Sequence, residues 1–218
     1  GTAIDPITAQ ISELYAEVTG TGSIYLELDE LVSGNGVNLN TVTTNDGDID
    51  ITVNATARAI GVEAEGDVSI TTNSLVRHDL YIGLVKGYDV YLTANSSSII
   101  GLDGYDLNIS AQNLYLDASG SIYGNYEPDR AYYEPDNDFL ATNAEYIEAV
   151  ADGSDGNGDI YIYDTGSVEL ADLNSCYEES ESIYIIAQGD IGVGHIVDAN
   201  DVILEAQDGS IYMMDGVE

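Results

Sequence analysis

Cysteine, tryptophan and basic side chains are almost absent from this chain of 218 residues. Cys176 is the single cysteine, so no disulfide can form within the chain. There is no tryptophan and one phenylalanine, and a core without large rings is expected to be thin rather than deep. No apolar run reaches membrane-spanning length, and no charged-then-apolar signal segment opens the chain.

Charge of one sign is nearly missing as well. Four Lys and Arg residues stand against forty Asp and Glu, which gives a formal net charge of −36. We therefore expect no nucleic-acid partner, because phosphates require a basic footprint, and no direct membrane insertion. The same charge is compatible with divalent cations, a salty medium or simple solubility. Because 44% of the residues are apolar, the chain is predicted to fold.

A short phrase recurs along the chain: a small residue, Asp or Ser, an aliphatic residue, any residue, and a second aliphatic residue. Clear copies begin at Gly22, Gly47, Gly66, Gly158, Gly166, Gly189 and Gly209. The two aliphatic positions share one face of a strand, and helical spacing is rare. The phrase returns about every 20 residues, which predicts an all-β parallel β-helix, or β-solenoid.

The same phrase predicts which side chains face the core. The inward positions are Ile49, Ile51, Val68, Ile70, Val90, Leu92, Leu107, Ile109, Ile160, Ile162, Ile183, Ile185, Val202 and Leu204. The residues predicted to face outward are Tyr25, Asp50, Ser69, Tyr81, Tyr91, Asn108, Tyr115, Tyr161, Glu169 and Tyr184. The dipeptide Asn35-Gly36 favours a hairpin turn and keeps a β-sandwich as the alternative fold.

The segment 124–143 breaks the repeat and contains a doubled Tyr-Glu-Pro-Asp with two of the three prolines. Proline cannot donate to a sheet ladder, so the segment is predicted to be a loop inserted into the solenoid. Inserted loops on solenoids often carry the binding face. Tyr126, Tyr132 and Tyr133 are therefore candidate ligand-binding residues, with a functionally neutral insertion as the alternative.

A second loop, 152–159, consists almost entirely of Asp, Gly, Ser and Asn. Calcium needs several hard oxygen ligands on a flexible backbone, and this spacing can supply them. The candidate metal ligands are Asp152, Asp155, Asn157 and Asp159, and the candidate cofactor is calcium. Ordinary turn chemistry explains the same residues without an ion.

Enzymes that act on polysaccharides also use the β-helix fold. A lyase of that kind needs Arg or Lys beside its acidic cluster, and the four basic residues, Arg58, Arg77, Lys86 and Arg130, are scattered along the chain. Arg77, His78, Asp79 and Lys86 could meet on adjacent coils. His195 has no Ser or Cys partner in its neighbourhood of the sequence. Without a convergent acid, base and nucleophile, we expect no catalytic activity.

Three phrases carry a family resemblance: Gly-Asp-Ile-x-Ile-x-Val at 47–53, Gly-Ser-Val-Glu-Leu-Ala at 166–171 and Asn-Asp-Val-Ile-Leu-Glu-Ala at 200–206. With them the chain resembles the filamentous haemagglutinin-like repeat regions of large bacterial exoproteins. The resemblance implies a right-handed parallel β-helix in the shaft of a secreted or surface-anchored adhesin. The chain departs from that pattern in its acidity, its tyrosines and its insertion.

These observations combine into one expectation. Residues 1–218 are predicted to form a single β-solenoid segment of a longer extracellular or cell-surface bacterial protein, structural and adhesive in role. Its expected partners are flanking repeats of the same chain and a surface protein or glycan of a host or neighbouring cell. A calcium-dependent carbohydrate- or protein-binding module is the first alternative, and a β-helix polysaccharide lyase or hydrolase is the second.

Overall fold

The computed structural model describes residues 5–32, 34–73, 78–124, 139–154, 158–175, 181–197 and 199–214. In these residues it contains twenty-one strands and no helix. In chain order the strands are β1 (Ile7–Ile11), β2 (Glu13–Thr21), β3 (Ile24–Glu30), β4 (Val37–Asp46), β5 (Ile49–Val53), β6 (Ala57–Ala59), β7 (Val62–Ala64), β8 (Val68–Thr72), β9 (Leu80–Ile82), β10 (Val85–Lys86), β11 (Asp89–Ala94), β12 (Ile99–Gly101), β13 (Ile109–Ala118), β14 (Ile122–Tyr123), β15 (Leu140–Ala151), β16 (Ile160–Asp164), β17 (Val168–Ser175), β18 (Ser182–Ala187), β19 (Ile191–Val197), β20 (Asp201–Ala206) and β21 (Ile211–Met213).

All the strand pairs in the described part of the chain are parallel, and they link successive coils into a solenoid. On the first face, β1, β3, β5, β8 and β11 follow one another, and on the second, β4, β6, β9, β12 and β14. The short strands β7 and β10 form a third face. The predicted parallel β-solenoid is confirmed, and the β-sandwich alternative is wrong because its antiparallel hairpins do not occur among these strands.

Coil length follows from the strand register. Ile51 pairs with Ile70, Ile70 with Leu92 and Leu92 with Leu116, so these coils take 19, 22 and 24 residues. The solenoid has about eight turns of about 23 residues, slightly longer than the predicted 20. The extra residues lie in corners between strands, which the spacing of the phrases does not reveal.

The coil that contains the predicted insertion is the longest, since Leu116 pairs with Ala149, 33 residues further on. The insertion is nevertheless shorter than the predicted 124–143. Strand β15 begins at Leu140, so residues 140–143 belong to the solenoid wall and pair with β13 and β16. Residues 125–138 lie outside the described part of the chain.

The core is a set of aliphatic ladders along the solenoid axis. One ladder runs through Ile24, Ile49, Val68, Val90, Leu114 and Ile147, which pair in register from coil to coil. The predicted inward residues that are buried are Ile49, Ile51, Val68, Ile70, Val90, Leu92, Ile109, Ile160, Ile162, Ile183 and Ile185. Leu204 is half-buried against this core.

Val202 occupies an inward column, because it pairs with Ile183, yet 44% of it is exposed. The prediction that it is buried is therefore wrong. Strand β20 pairs with β18 on one side, and no other described strand lies along its far side. Inward position gives burial only where a coil follows, so the last described coil leaves Val202 uncovered.

The predicted orientation at Leu107 and Asn108 is also wrong, because β13 begins at Ile109 and the two preceding residues lie in a corner. Asn108 is buried and Leu107 is half-buried. The Asn108 amide donates to the carbonyl oxygens of Ile82 and Gly83 at 2.9 and 3.2 Å. Its Oδ1 accepts from the N–H of Ala141 at 3.2 Å. Asn108 therefore joins three coils, which explains why a polar side chain occupies the core.

Tyr161 and Tyr184, which were predicted to face outward, are buried at 8% and 5% exposure. They lie on the outer surface of β16 and β18 in a second apolar cluster with Phe139, Tyr163 and Ile186. The Phe139 ring meets both tyrosines edge-on, with centroids 6.0 and 5.1 Å away. Strand alternation assigned the correct side of the wall, but it could not predict that aromatic residues cover this part of it.

The Asp or Ser of the repeated phrase links each coil to the next. Asp48 donates its N–H to Ser23 Oγ at 3.0 Å, and Asp67 donates its N–H to Asp48 Oδ1 at 3.1 Å. Asp89 continues this column by donating to Asp67 Oδ1 at 3.3 Å. On the second face, Ser121 donates to Ser98 Oγ at 3.1 Å. The side chain of one coil thus satisfies a backbone donor of the next, as buried corners require.

Glycine precedes these residues because the coils approach closely there. A Cβ built on Gly47 would lie 2.2 Å from the carbonyl oxygen of Gly22 in the preceding coil. At Gly189, it would lie 2.2 Å from Ser167 Oγ. A larger residue would push the coils apart, so the phrase combines a close approach with a hydrogen-bond acceptor.

Candidate functional site

The two described members of the predicted calcium set have structural roles. Asp159 Oδ1 accepts from the N–H of Ser182 at 2.8 Å, and Asp159 donates its own N–H to Ser121 Oγ at 3.2 Å. Asp152 Oδ1 accepts from the N–H of Ser154 at 2.8 Å. Asp159 therefore belongs to a ladder between coils, and Asp152 stabilises a turn. Asp155 and Asn157 lie outside the described residues.

A second carboxylate lies close to Asp152. Burial raises the pKa of Asp117, and the negative charge of Asp152 raises it further. The described residues contain no group of three His, Cys, Asp or Glu side chains placed to hold a metal ion. Calcium at this loop therefore remains a prediction that depends on Asp155 and Asn157.

The candidate ligand-binding tyrosines also lie outside the described residues: they are Tyr126, Tyr132 and Tyr133. The described part of the chain contains a different tyrosine ladder on the first face. The rings of Tyr91 and Tyr115 stack with centroids 4.6 Å apart and planes within 5°. Tyr146 continues the ladder at 6.1 Å with a tilt of 55°. Because stacked rings cover each other's faces, this ladder stiffens the wall more than it offers free rings.

The tyrosine ladder lies among carboxylates. Burial and the charge of Asp89 raise the pKa values of Tyr91 and Tyr115. The Tyr146 hydroxyl donates to the carboxylate of Glu148, and burial and this bond raise the pKa of Tyr146. These phenols therefore remain protonated hydrogen-bond donors at neutral pH.

Asp164 is a buried carboxylate that the sequence did not single out. Its Oδ2 accepts from the Thr142 hydroxyl at 2.8 Å and from the Ala144 N–H at 2.9 Å, and its Oδ1 accepts from the Gly166 N–H at 2.8 Å. Burial raises its pKa to about 6, although these three donors act in the opposite direction. The groups bonded to the carboxylate are a hydroxyl and two backbone N–H groups, and no cationic side chain of the described residues pairs with it. These contacts indicate that Asp164 stabilises the corner of the coil.

The residues considered for catalysis do not converge in the described structure. Asp79 and Lys86 belong to one coil, on different faces, because Asp79 precedes β9 and Lys86 ends β10. The Arg58 guanidinium lies 5.1 Å from the centre of the Tyr81 ring. His195 Nδ1 lies 3.5 Å from Asp172 Oδ1, and both side chains are more than half exposed. Arg77 and Arg130 are outside the described residues.

A groove of about 600 Å³ lies where the third face meets the first. Thr43, Glu63 and Lys86 form one column of its wall, paired in register on successive coils. Asn45, Glu65 and Tyr88 line it at the corner. Tyr88 is 54% exposed, while its backbone is held by hydrogen bonds from its N–H to Gly66 and from Gln112 to its carbonyl. Of these residues only Lys86 was a candidate from the sequence, since corner residues follow no strand alternation.

No protein-family model, curated protein or solved structure matches this chain. Architecture is therefore established by the strand pairing itself, and the haemagglutinin-like resemblance remains a prediction. In the part of the chain that the structure describes, no helix is long and apolar enough to cross a membrane.

Proposed function

We propose that this chain is a non-catalytic shaft and adhesion segment of an extracellular or cell-surface bacterial protein. The observation that carries the proposal is the continuous parallel pairing of the wall, which persists across a register shift between Ile147 and Glu148 of β15. From β3 to β19, each coil of the first face pairs in parallel with the coil before and the coil after it. A rod of this kind transmits position along one axis and offers a long surface.

The ends of the described rod support stacking with flanking repeats. Strand β21 pairs with β19 on one side, and 49% of Ile211 and 63% of Met213 are exposed. At the opposite end 55% of Ile7 is exposed on β1. Further coils of the same geometry would cover these side chains and pair with the open strand edges.

The acidic residues of the phrase support a structural role over a catalytic one. Asp48, Asp67 and Asp159 each accept a backbone N–H from the following coil. A carboxylate engaged in this way is fixed within the wall and is poorly placed to attack or protonate a substrate. The high negative charge also favours solubility of a long extracellular rod.

A test of this function measures adhesion and turnover on the same preparation. Beads coated with the folded chain are expected to stay on a cell layer under flow, while beads coated with heat-unfolded chain detach. Incubation with pectin, alginate, hyaluronan and neutral glycans is expected to release no products. Detachment of both bead types would contradict the adhesive role, and reproducible product formation would contradict the non-catalytic role.

A calcium-dependent binding module is the second candidate, favoured by the closeness of Asp117 and Asp152 beside the 152–159 loop. An ion there would offset the repulsion between these carboxylates. A preference for calcium over magnesium at equal ionic strength would separate this candidate from general screening by salt.

A further inference from the structure

We propose that the groove at the corner of the third and first faces binds a neutral oligosaccharide. This inference deepens the adhesive part of the proposed function, on which it rests, by naming the ligand class. The groove is defined by Thr43, Asn45, Glu63, Glu65, Lys86 and Tyr88. At about 600 Å³ it is in the size range of small-ligand sites.

The charged groups of the groove require a ligand that both donates and accepts hydrogen bonds. The carboxylates of Glu63 and Glu65 only accept hydrogen bonds, and the ammonium group of Lys86 only donates them. Lys86 forms no salt bridge with any residue in the described ranges, so its donors are available. A ligand that serves all three must both donate and accept over a short distance, and a sugar hydroxyl group does both.

The negative charge of the groove and of the chain also disfavours charged ligands. Two carboxylates in the groove and a chain charge of −36 repel an anionic sugar such as a uronic acid. A simple cation would be attracted to the glutamates but would meet the ammonium group of Lys86. A neutral polyhydroxylated ligand avoids both penalties. The Thr43 hydroxyl and the Asn45 side-chain oxygen add neutral hydrogen-bonding groups along the wall, while the Asn45 amide nitrogen already donates to the Thr19 carbonyl oxygen at 3.2 Å.

Tyr88 supplies the apolar contact that a sugar ring requires. Its side chain is 54% exposed and takes no part in the stack of Tyr91 and Tyr115. Its N–H donates to the carbonyl oxygen of Gly66 at 2.8 Å, and its carbonyl accepts from the Gln112 N–H at 2.8 Å. The backbone is therefore fixed while the ring is open to solvent. On a fixed backbone only the two rotatable bonds of the side chain must be ordered, so the ring costs little conformational entropy when it binds a flat apolar face.

The test uses the whole chain and a glycan array that carries neutral hexose oligosaccharides and uronic-acid oligosaccharides, followed by calorimetry with the best neutral ligand. We expect neutral ligands to bind and uronic-acid ligands to bind more weakly. Tyr88→Ala should weaken binding by about tenfold, from loss of the ring contact. Lys86→Met should weaken it by a similar factor of about ten, since a charge-assisted hydrogen bond is lost.

Tyr15→Ala is the matched control, because Tyr15 is 68% exposed and lies outside the groove. It should leave affinity unchanged, and all variants should unfold at the temperature of the parent. Stronger binding of uronic-acid ligands, equal losses in Tyr15→Ala and Tyr88→Ala, or no neutral ligand on the array would overturn the proposal. If beads still adhere while Tyr88→Ala has no effect, only the groove assignment fails and the shaft role stands.

Discussion

The carboxylate of Asp48 accepts a hydrogen bond from the backbone N–H of Asp67, one coil further along the solenoid, at 3.1 Å. The N–H of Asp48 donates in turn to Ser23 Oγ in the preceding coil. One position in the repeat thus connects three coils through side chain and backbone. The recurring Asp or Ser is explained by this need for an acceptor at each corner.

Removing the Asp48 carboxylate should leave the Asp67 N–H without its acceptor. We expect Asp48→Ala to lower the free energy of unfolding by about 1–2 kcal/mol, and Asp48→Ser to retain most of the stability, as Ser23 does at the equivalent position. Asp50→Ala is the matched control, because it removes the same charge from an outward side chain of β5. Urea unfolding measures all three. If Asp50→Ala lowered the free energy of unfolding as much as Asp48→Ala, the hydrogen bond from Asp67 to Asp48 would not be the source of the stability.

Burial of the aliphatic ladders should depend on the position of a coil in the rod. Val68 is fully buried and Val202 is 44% exposed, although both occupy inward columns. Val68→Ala should therefore cost about 2 kcal/mol or more, and Val202→Ala clearly less. The comparison removes the same two methyl groups from each site, so thermal or urea unfolding reports the environment alone. Equal losses would mean that the last described coil is as well covered as the fourth.

Asp164 should make stability depend on pH in the opposite direction to most carboxylates. Its pKa rises from 3.8 to about 6 on folding, so the folded state holds this proton more tightly than the unfolded state. Its stabilising contribution is full below pH 3.8 and is lost as pH rises through 6. Between pH 5 and 8 the parent should lose roughly 1 kcal/mol relative to Asp164→Asn.

The measurement for Asp164 is the difference in unfolding free energy between parent and Asp164→Asn at each pH. General repulsion among the carboxylates affects both proteins alike, so the difference isolates this side chain. Asn has one acceptor oxygen where Asp164 uses two, so the variant loses acceptance on one side. This loss shifts the difference by a constant without changing its slope. A difference that stays flat from pH 5 to 8 would show that Asp164 has an ordinary pKa.

Calcium should stabilise the fold more than magnesium at equal ionic strength if the 152–159 loop holds an oxygen site. At a hundredfold excess over Kd, binding to the folded form alone adds about 2.7 kcal/mol. The double variant Asp155→Ala, Asn157→Ala should lose the preference for calcium. Asp50→Ala is the control, because it removes a carboxylate outside the loop, and it should retain the preference for calcium. The midpoint of thermal unfolding is measured in calcium, in magnesium and in chelator. An equal rise of the midpoint with both ions would show that the ions only screen the surface charge and that the loop holds no calcium site.

The sequence predicted the parallel solenoid because the phrase reports strand alternation and, through its spacing, an approximate coil length. It failed where a coil corner interrupts that alternation. Asn108 stands between Leu107 and Ile109, where strand alternation predicts an outward side chain, yet it lies in a corner and its side chain joins three coils. Tyr88 and Lys86 are brought together with Glu63 only by the register of successive coils. Such contacts depend on how many residues each corner takes, which no local pattern encodes.

The central claim is that each coil is stabilised by the coils on either side of it. Native-state hydrogen exchange, resolved by strand, tests this most directly. The amides of β5, β8 and β11, which pair on both sides, should exchange slowest, and those of β1, β20 and β21 fastest, because these strands pair on one side. Protection that is uniform along the rod, or fastest exchange in a central coil, would contradict the account.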